Sequence, residues 1–308
     1  MIIRTISAFF VVFALAGGTR GASLSDAKLA YDSGDYKQAV KLLQQAAGEG
    51  DAKAQAALGV MYEHGQGVAQ DEAQAVTWYM KAATQGNGSA QNNLGYLYFT
   101  GHGVARDYGE AFEWYSKAVK NTAGDDWDEA MAWTNLGSMY FWGRGVGKSP
   151  SLAAEAWRKA ADKGNPYAAN NLAYLYENGL GVSKDEKLSA SWYRKAADEG
   201  YPFAKNNLAV MYETGRGVMR NYDEALKLFS EAAAKGNGFA QYKLGRMMEK
   251  GLGVKKDLVQ AYRWYFLASQ HQEEKAGESL RRLQGVLSPA QVAEAEKLAG
   301  AGKEAGHD

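Results

Sequence analysis

The pattern Gly-x-Gly-Val occurs six times, at Gly65–Val68, Gly101–Val104, Gly143–Val146, Gly179–Val182, Gly215–Val218 and Gly251–Val254. The steps between copies are 36, 42, 36, 36 and 36 residues. Other positions keep the same step. Leu58, Leu94, Leu136, Leu172, Leu208 and Leu244 form one series, and Ala75, Ala111, Ala153, Ser189, Ala225 and Ala261 form another. A fixed period of this size marks a repeat array, in which each unit cannot bury its apolar face alone and must stack on the next. Such an array also accounts for 36 glycines beside only 4 prolines, provided the glycines sit in turns.

Each unit reads as two helices. Ala54, Leu58, Met61 and Tyr62 fall at i, i+4, i+7 and i+8, one apolar face of a first helix. Gly65 then ends it, because glycine readily takes the left-handed conformation that closes a helix. Ala75, Trp78, Tyr79, Ala82 and Ala83 form the stripe of a second helix. The position before that helix holds Asp71, Asp107, Ser149, Asp185, Asn221 and Asp257. All six are favoured caps, with a side-chain oxygen for the free amides of the first turn. Lys81, Lys117, Lys159 and Lys195 stand near the far end, where positive charge suits the helix dipole.

Read along one copy, the motif is Ala54, Leu58, Gly59, Met61, Tyr62, Gly65, Gly67, Val68, Asp71, Ala75, Trp78, Tyr79, Lys81, Ala82, Ala83 and Gly86. It closely resembles the Sel-1-like repeat family, relatives of the tetratricopeptide repeats. The resemblance covers about Ala22 to Ala299 and implies an all-α, right-handed solenoid superhelix of stacked antiparallel helix pairs. It also implies an adaptor role in bacterial envelope signalling, secretion, surface assembly or host contact. Enzymatic activity in the family belongs mainly to a cysteine-rich branch, and this chain has no cysteine. Three departures from the pattern are Ala156-Trp157, Leu228-Phe229 and a six-residue insertion before Trp133. The expected organisation is an N-terminal helix pair over 23–50, six repeats over 51–272, and capping helices with a tail over 273–308.

Residues 1–22 have the order of a secretory signal peptide: Arg4 in a short charged start, an apolar run from Ile6 to Ala16, then small residues. That run is too short to span a bilayer, which needs roughly 20 apolar residues. Cleavage is expected near 16–22, giving a periplasmic or secreted protein that meets a membrane only through this transient segment. The chain has 35 basic and 35 acidic side chains, and this balance argues against a nucleic-acid partner. Without cysteine there is neither a disulfide framework nor a thiolate metal site.

Binding is expected on first-helix positions that face one way but differ between copies. The candidates are Asn92, Tyr96, Phe99, Ser138, Phe141, Trp142, Asn170, Tyr174 and Asn206, lining the concave face if the first helix is the inner one, with Trp133 as a partner contact beside the insertion. Aromatic and amide side chains there suit an extended peptide or a helix. Asn93, Asn135, Asn171 and Asn207 form a neighbouring ladder whose amides suit a neighbouring helix end, a structural role, or else a ligand backbone. Asp125, Asp126, Asp128 and Glu129 lack the spacing of an EF-hand, and Trp142 stands where a phosphate loop needs its first glycine. The sequence-level expectation is therefore a non-enzymatic scaffold for a protein or peptide, with no cofactor, metal or catalytic residue. A glycan- or peptidoglycan-associated binding protein, or an envelope hydrolase, is the alternative.

Overall fold

The computed structural model describes residues 24–122 and 126–304. The expected signal segment, Asp125 and the end of the tail lie outside the described residues. Among the described residues sixteen helices follow one another and there is no strand. They are α1 (Leu24–Asp32), α2 (Tyr36–Gly48), α3 (Ala52–His64), α4 (Glu72–Thr84), α5 (Gly88–Thr100), α6 (Tyr108–Asn121), α7 (Asp126–Trp142) and α8 (Pro150–Asp162). Then come α9 (Pro166–Asn178), α10 (Glu186–Asp198), α11 (Pro202–Thr214), α12 (Tyr222–Ala234), α13 (Gly238–Lys250), α14 (Leu258–Gln270), α15 (Glu274–Gln284) and α16 (Pro289–Glu304). The fold is an all-α solenoid of helix pairs, and the described residues fall into two compact units, one up to residue 168 with 180–182 and one of 169–179 with 183 onward.

Capping chemistry sets the helix starts. Asp71, Asp107, Ser149, Asp185, Asn221 and Asp257 each accept a hydrogen bond from an amide of the first turn that follows. Four of the first helices also have side-chain caps, which the sequence reading did not assign. Asp51 accepts from Ala54, Asn87 from Ala90, Asn165 from Ala168 and Asn237 from Ala240. A capped start satisfies amides that have no partner within the helix.

The paired glycines do two different jobs. Gly65, Gly101, Gly215 and Gly251 close their helices at left-handed φ, and in each case the glycine N–H returns to a carbonyl four residues earlier. The second glycine makes the contact between repeats. A Cβ on Gly67 would strike the Tyr36 carbonyl at the start of α2, and one on Gly145 would strike the Tyr108 carbonyl at the start of α6. The turn of one repeat thus rests on the first residue of the preceding second helix, close enough to exclude any side chain.

Packing repeats in the same way. Leu58 and Met61 are buried with Leu43 and Ala47, while Leu94 and Leu97 are buried with Tyr79 and Ala83. In the second unit Leu244 and Met247 are buried with Phe229 and Ala233. The last large cluster joins Tyr262 and Tyr265 of α14 to Leu283, Leu287 and Ala295. Ser288 and Gln291 there exchange side-chain-to-backbone bonds in a capping box that starts α16.

Candidate functional site

The first-helix face is built on buried and half-buried side-chain ladders. Gln55, Gln91 and Gln241 each donate to the carbonyl eight residues earlier: Ala47, Ala83 and Ala233. Asn135 Nδ2 donates to Asn92 Oδ1 (3.1 Å), and Asn207 Nδ2 donates to Asn170 Oδ1 (3.0 Å). The structural asparagine ladder and the candidate series therefore meet. Asn92 is 1% exposed and its amide is committed to the next repeat. A buried amide bonded in this way positions helices, because leaving it unpaired costs about 1–3 kcal/mol.

A second ladder joins the helices within a repeat. Tyr79 Oη donates to Glu63 Oε2 (2.9 Å), Tyr193 to Glu177 (2.9 Å) and Tyr265 to Glu249 (2.7 Å). Glu177 also pairs with Arg216 (2.8 Å), and Glu249 with Arg282 (3.0 Å). Burial and the facing carboxylate push the Tyr193 and Tyr265 hydroxyls well above their ordinary ionisation range. Where the aromatic is Phe229 there is no hydroxyl to donate, and Glu213 pairs with Lys243 instead (2.7 Å).

The candidate residues divide by exposure. Asn92, Ser138 and Asn206 are buried, and Ser138 Oγ donates to the Thr134 carbonyl. Tyr96, Phe99, Trp133, Phe141 and Asn170 are half-buried. Phe99 packs on Tyr108 (5.1 Å between ring centres) beneath Arg144, and Phe141 packs on Trp157 (5.4 Å). Trp133 is held by its N–H to Glu129 and by Lys159, 4.0 Å above its ring. Two aromatics stand out into solvent: Trp142, 56% exposed in the first unit, and Tyr174, 45% exposed in the second. Trp142 rests edge-on against Phe141 (4.9 Å).

The recurrent tryptophans take part in both packing and surface. Trp114 is buried, whereas Trp78, Trp192 and Trp264 are half-buried. Lys81 lies 4.0 Å over Trp78, Lys117 4.1 Å over Trp114 and Lys195 4.9 Å over Trp192. The lysines read from sequence as dipole partners thus also cover the rings, a contact worth about 0.5–1 kcal/mol at an exposed site. The fully buried aromatic of each pair is the following residue, such as Tyr79, Tyr115 or Tyr193.

Among the described residues no group of three or more His, Cys, Asp or Glu side chains is placed to hold a metal ion. No described helix is long and apolar enough to cross a membrane. Gly143 and Gly145 take positive φ and Ser149 caps α8, so this segment is a helix-to-helix turn.

A family model described as Sel1 repeat matches residues 27–51, 52–87, 88–122, 130–165, 166–201, 202–237 and 238–272. The chain belongs to the Sel1 repeat family. This Sel1 array is similar to the crystal structure of a protective antigen present in uropathogenic Escherichia coli strains that displays an SLR fold. The match has 34% identity and a TM-score of 0.75, and covers 91% of this chain and 64% of that one. It is also similar to a Sel1 repeat protein from Oxalobacter formigenes, with 30% identity and a TM-score of 0.71, covering 81% of this chain and 97% of that one. The chain thus spans under two thirds of the first protein and nearly all of the second. No curated protein matches it. Sel1 repeats form scaffolds that typically serve protein–protein interaction and are generally non-enzymatic.

Continuing the 36-residue step into the last Sel1 repeat reaches residues that the candidate series left out. Tyr242, Arg246 and Glu249 of α13 stand in register with Asn92, Tyr96 and Phe99. They line a cleft of ≈ 350 Å³ with Lys250, Tyr265 and Arg282. The repeat period alone was enough signal to find them.

Proposed function

We propose that this Sel1 array is an exported adaptor that holds a protein or peptide partner on the first-helix face of its repeats, in the cell envelope or outside the cell. The observation that carries this reading is the exposure of Trp142 and Tyr174 on helices whose neighbouring positions are held in hydrogen-bonded ladders. A rigid backbone presenting an oriented aromatic loses little entropy when a partner covers it. The N-terminal order of charge, apolar run and small residues supports export. The 35 acidic and 35 basic side chains favour a protein over a nucleic acid as partner.

The test is a photo-crosslinker placed at Trp142 or Tyr174 in the full chain, expressed in its own cell and followed by fractionation. A discrete protein adduct in the envelope or medium is expected. Its formation should be competed away by the native chain but not by a chain of native helicity carrying alanine at the crosslinked position, Trp142→Ala or Tyr174→Ala. Equal competition by those variants, or an unprocessed chain that stays in the cytosol, would sink the reading. Trp142 and Tyr174 suit this test better than Tyr96, Phe99 and Phe141, whose half-buried rings pack beside the core.

A further inference from the structure

The last full repeat departs from the others in charge. At the register position of Arg246 the earlier first helices carry Val60, Tyr96, Ser138, Tyr174 and Val210. At that of Lys250 they carry His64, Thr100, Trp142, Asn178 and Thr214. Only α13 places a full cation at both. The two positions are four apart, so they share one helix face.

The capping helix α15 adds a third cation. Arg282 reaches Glu249 with both terminal nitrogens, Nη1 to Oε1 (3.1 Å) and Nη2 to Oε2 (3.0 Å). Glu249 also accepts from Tyr265 Oη (2.7 Å). The only carboxylate lining the cleft is therefore engaged by a two-pronged guanidinium and a phenol. Arg246 and Lys250 have no ion-pair partner among the described residues, so the cleft keeps an excess of positive charge. Its wall is aromatic: Tyr242 and Tyr265 lie 5.5 Å apart at 42°.

We infer that the cleft between α13 and α15 binds an acidic polypeptide segment, one whose aspartate or glutamate side chains alternate with apolar ones. Arg246 and Lys250 receive the carboxylates, and Tyr242 receives the apolar neighbour. A guanidinium offers paired donors that match a carboxylate, and its bonds to charged acceptors are the stronger kind. A cleft of ≈ 350 Å³ has room for one or two side chains. Two free cations beside tyrosine suit that load better than the closely spaced phosphates of a nucleic acid, which call for a longer basic track. This inference names the partner chemistry for one part of the array and rests on the adaptor reading.

The test uses the full chain and three labelled probes in fluorescence anisotropy. These are a short peptide alternating aspartate with leucine, the same peptide with asparagine for aspartate, and an oligo-dT of matched length. The aspartate peptide is expected to bind, to weaken as salt rises, and to lose about tenfold or more in affinity with Arg246→Gln plus Lys250→Gln. Both side chains are at least partly exposed, so the double variant should keep the native melting temperature. Tyr242→Ala is a second, uncharged variant and should weaken the same peptide. Equal binding of the asparagine peptide, or undiminished binding by the double variant, overturns the inference. Equal binding of oligo-dT through the same residues also overturns it, in favour of a general polyanion site. Adducts at Trp142 or Tyr174 without any aspartate-peptide binding would leave the adaptor reading standing and this inference lost. Peptide binding without those adducts would keep the cleft as the binding site and remove Trp142 and Tyr174 from the partner-binding face.

Discussion

The hydroxyl of Tyr79 donates to Glu63 Oε2 across 2.9 Å, tying the second helix of a repeat to the end of its first. Tyr115 holds the same place one repeat later, but residue 99 there is phenylalanine, and the buried Tyr115 hydroxyl has no hydrogen-bond partner. Removing the two hydroxyls should therefore act in opposite directions. Tyr79→Phe is expected to cost about 1–2 kcal/mol by removing a hydrogen bond to a buried carboxylate, while Tyr115→Phe is expected to be neutral or stabilising. Urea denaturation with an unchanged m-value reads both. A loss for Tyr115→Phe as large as that for Tyr79→Phe would refute the assignment.

Gly145 and Gly147 stand two residues apart and should respond very differently to alanine. Gly145 has φ +70° and faces the Tyr108 carbonyl, whereas Gly147 has nothing within 4 Å of its would-be Cβ. Left-handed backbone alone costs a non-glycine residue about 1–2 kcal/mol, and the blocked contact between repeats adds to that. Gly145→Ala should lower the melting temperature by several degrees, and Gly147→Ala should leave it within error.

Gln272 is the one non-glycine residue at positive φ among the described residues (φ 60°), at the register position of Gly236. Gln272→Gly is expected to stabilise the last repeat by about 0.5–1 kcal/mol by relieving the left-handed strain. Hydrogen exchange of the α14 and α15 amides is the local measure, and faster exchange would count against the idea.

Gly59 lets the Tyr79 ring lie against α3, and a Cβ there would stand 2.6 Å from two ring carbons. Ala173 opposite Tyr193 and Ala209 opposite Phe229 show that the helices separate enough for one methyl. Gly59→Ala should therefore cost only about 1–2 kcal/mol, and Gly59→Val more, as overpacking usually does. A chain equally stable with valine would mean that the ring moves freely.

Alkaline stability follows from the tyrosine–glutamate pairs. Tyr193 and Tyr265 ionise well above the ordinary tyrosine value of 10.0 in the folded state, first through burial and then through Glu177 and Glu249. In the unfolded chain they ionise near that ordinary value, so above it the folded state holds more protons. Their contribution is thus full below about pH 10 and is lost as pH rises beyond it. Stability measured across that window should fall more steeply for the native chain than for Tyr193→Phe with Tyr265→Phe.

The sequence by itself determined the helices, their second-helix caps, the glycine turns and the order of the repeats. These depend on contacts a few residues apart, and a chain with a fixed period states such contacts over and over. Asp71 capping α4 and Gly65 closing α3 were legible for that reason. The same period names the face on which Asn92, Ser138, Trp142 and Tyr174 lie, but it is silent on what covers that face. Only the tertiary structure decided that Asn92 and Ser138 are sealed between helices while Trp142 and Tyr174 remain open. It alone brought Arg282 to Glu249, 33 residues away, on the cleft that Arg246 and Lys250 line. Burial depends on how closely successive helix pairs approach one another. That spacing is set by the sum of many side-chain volumes across two repeats, which no single register position encodes.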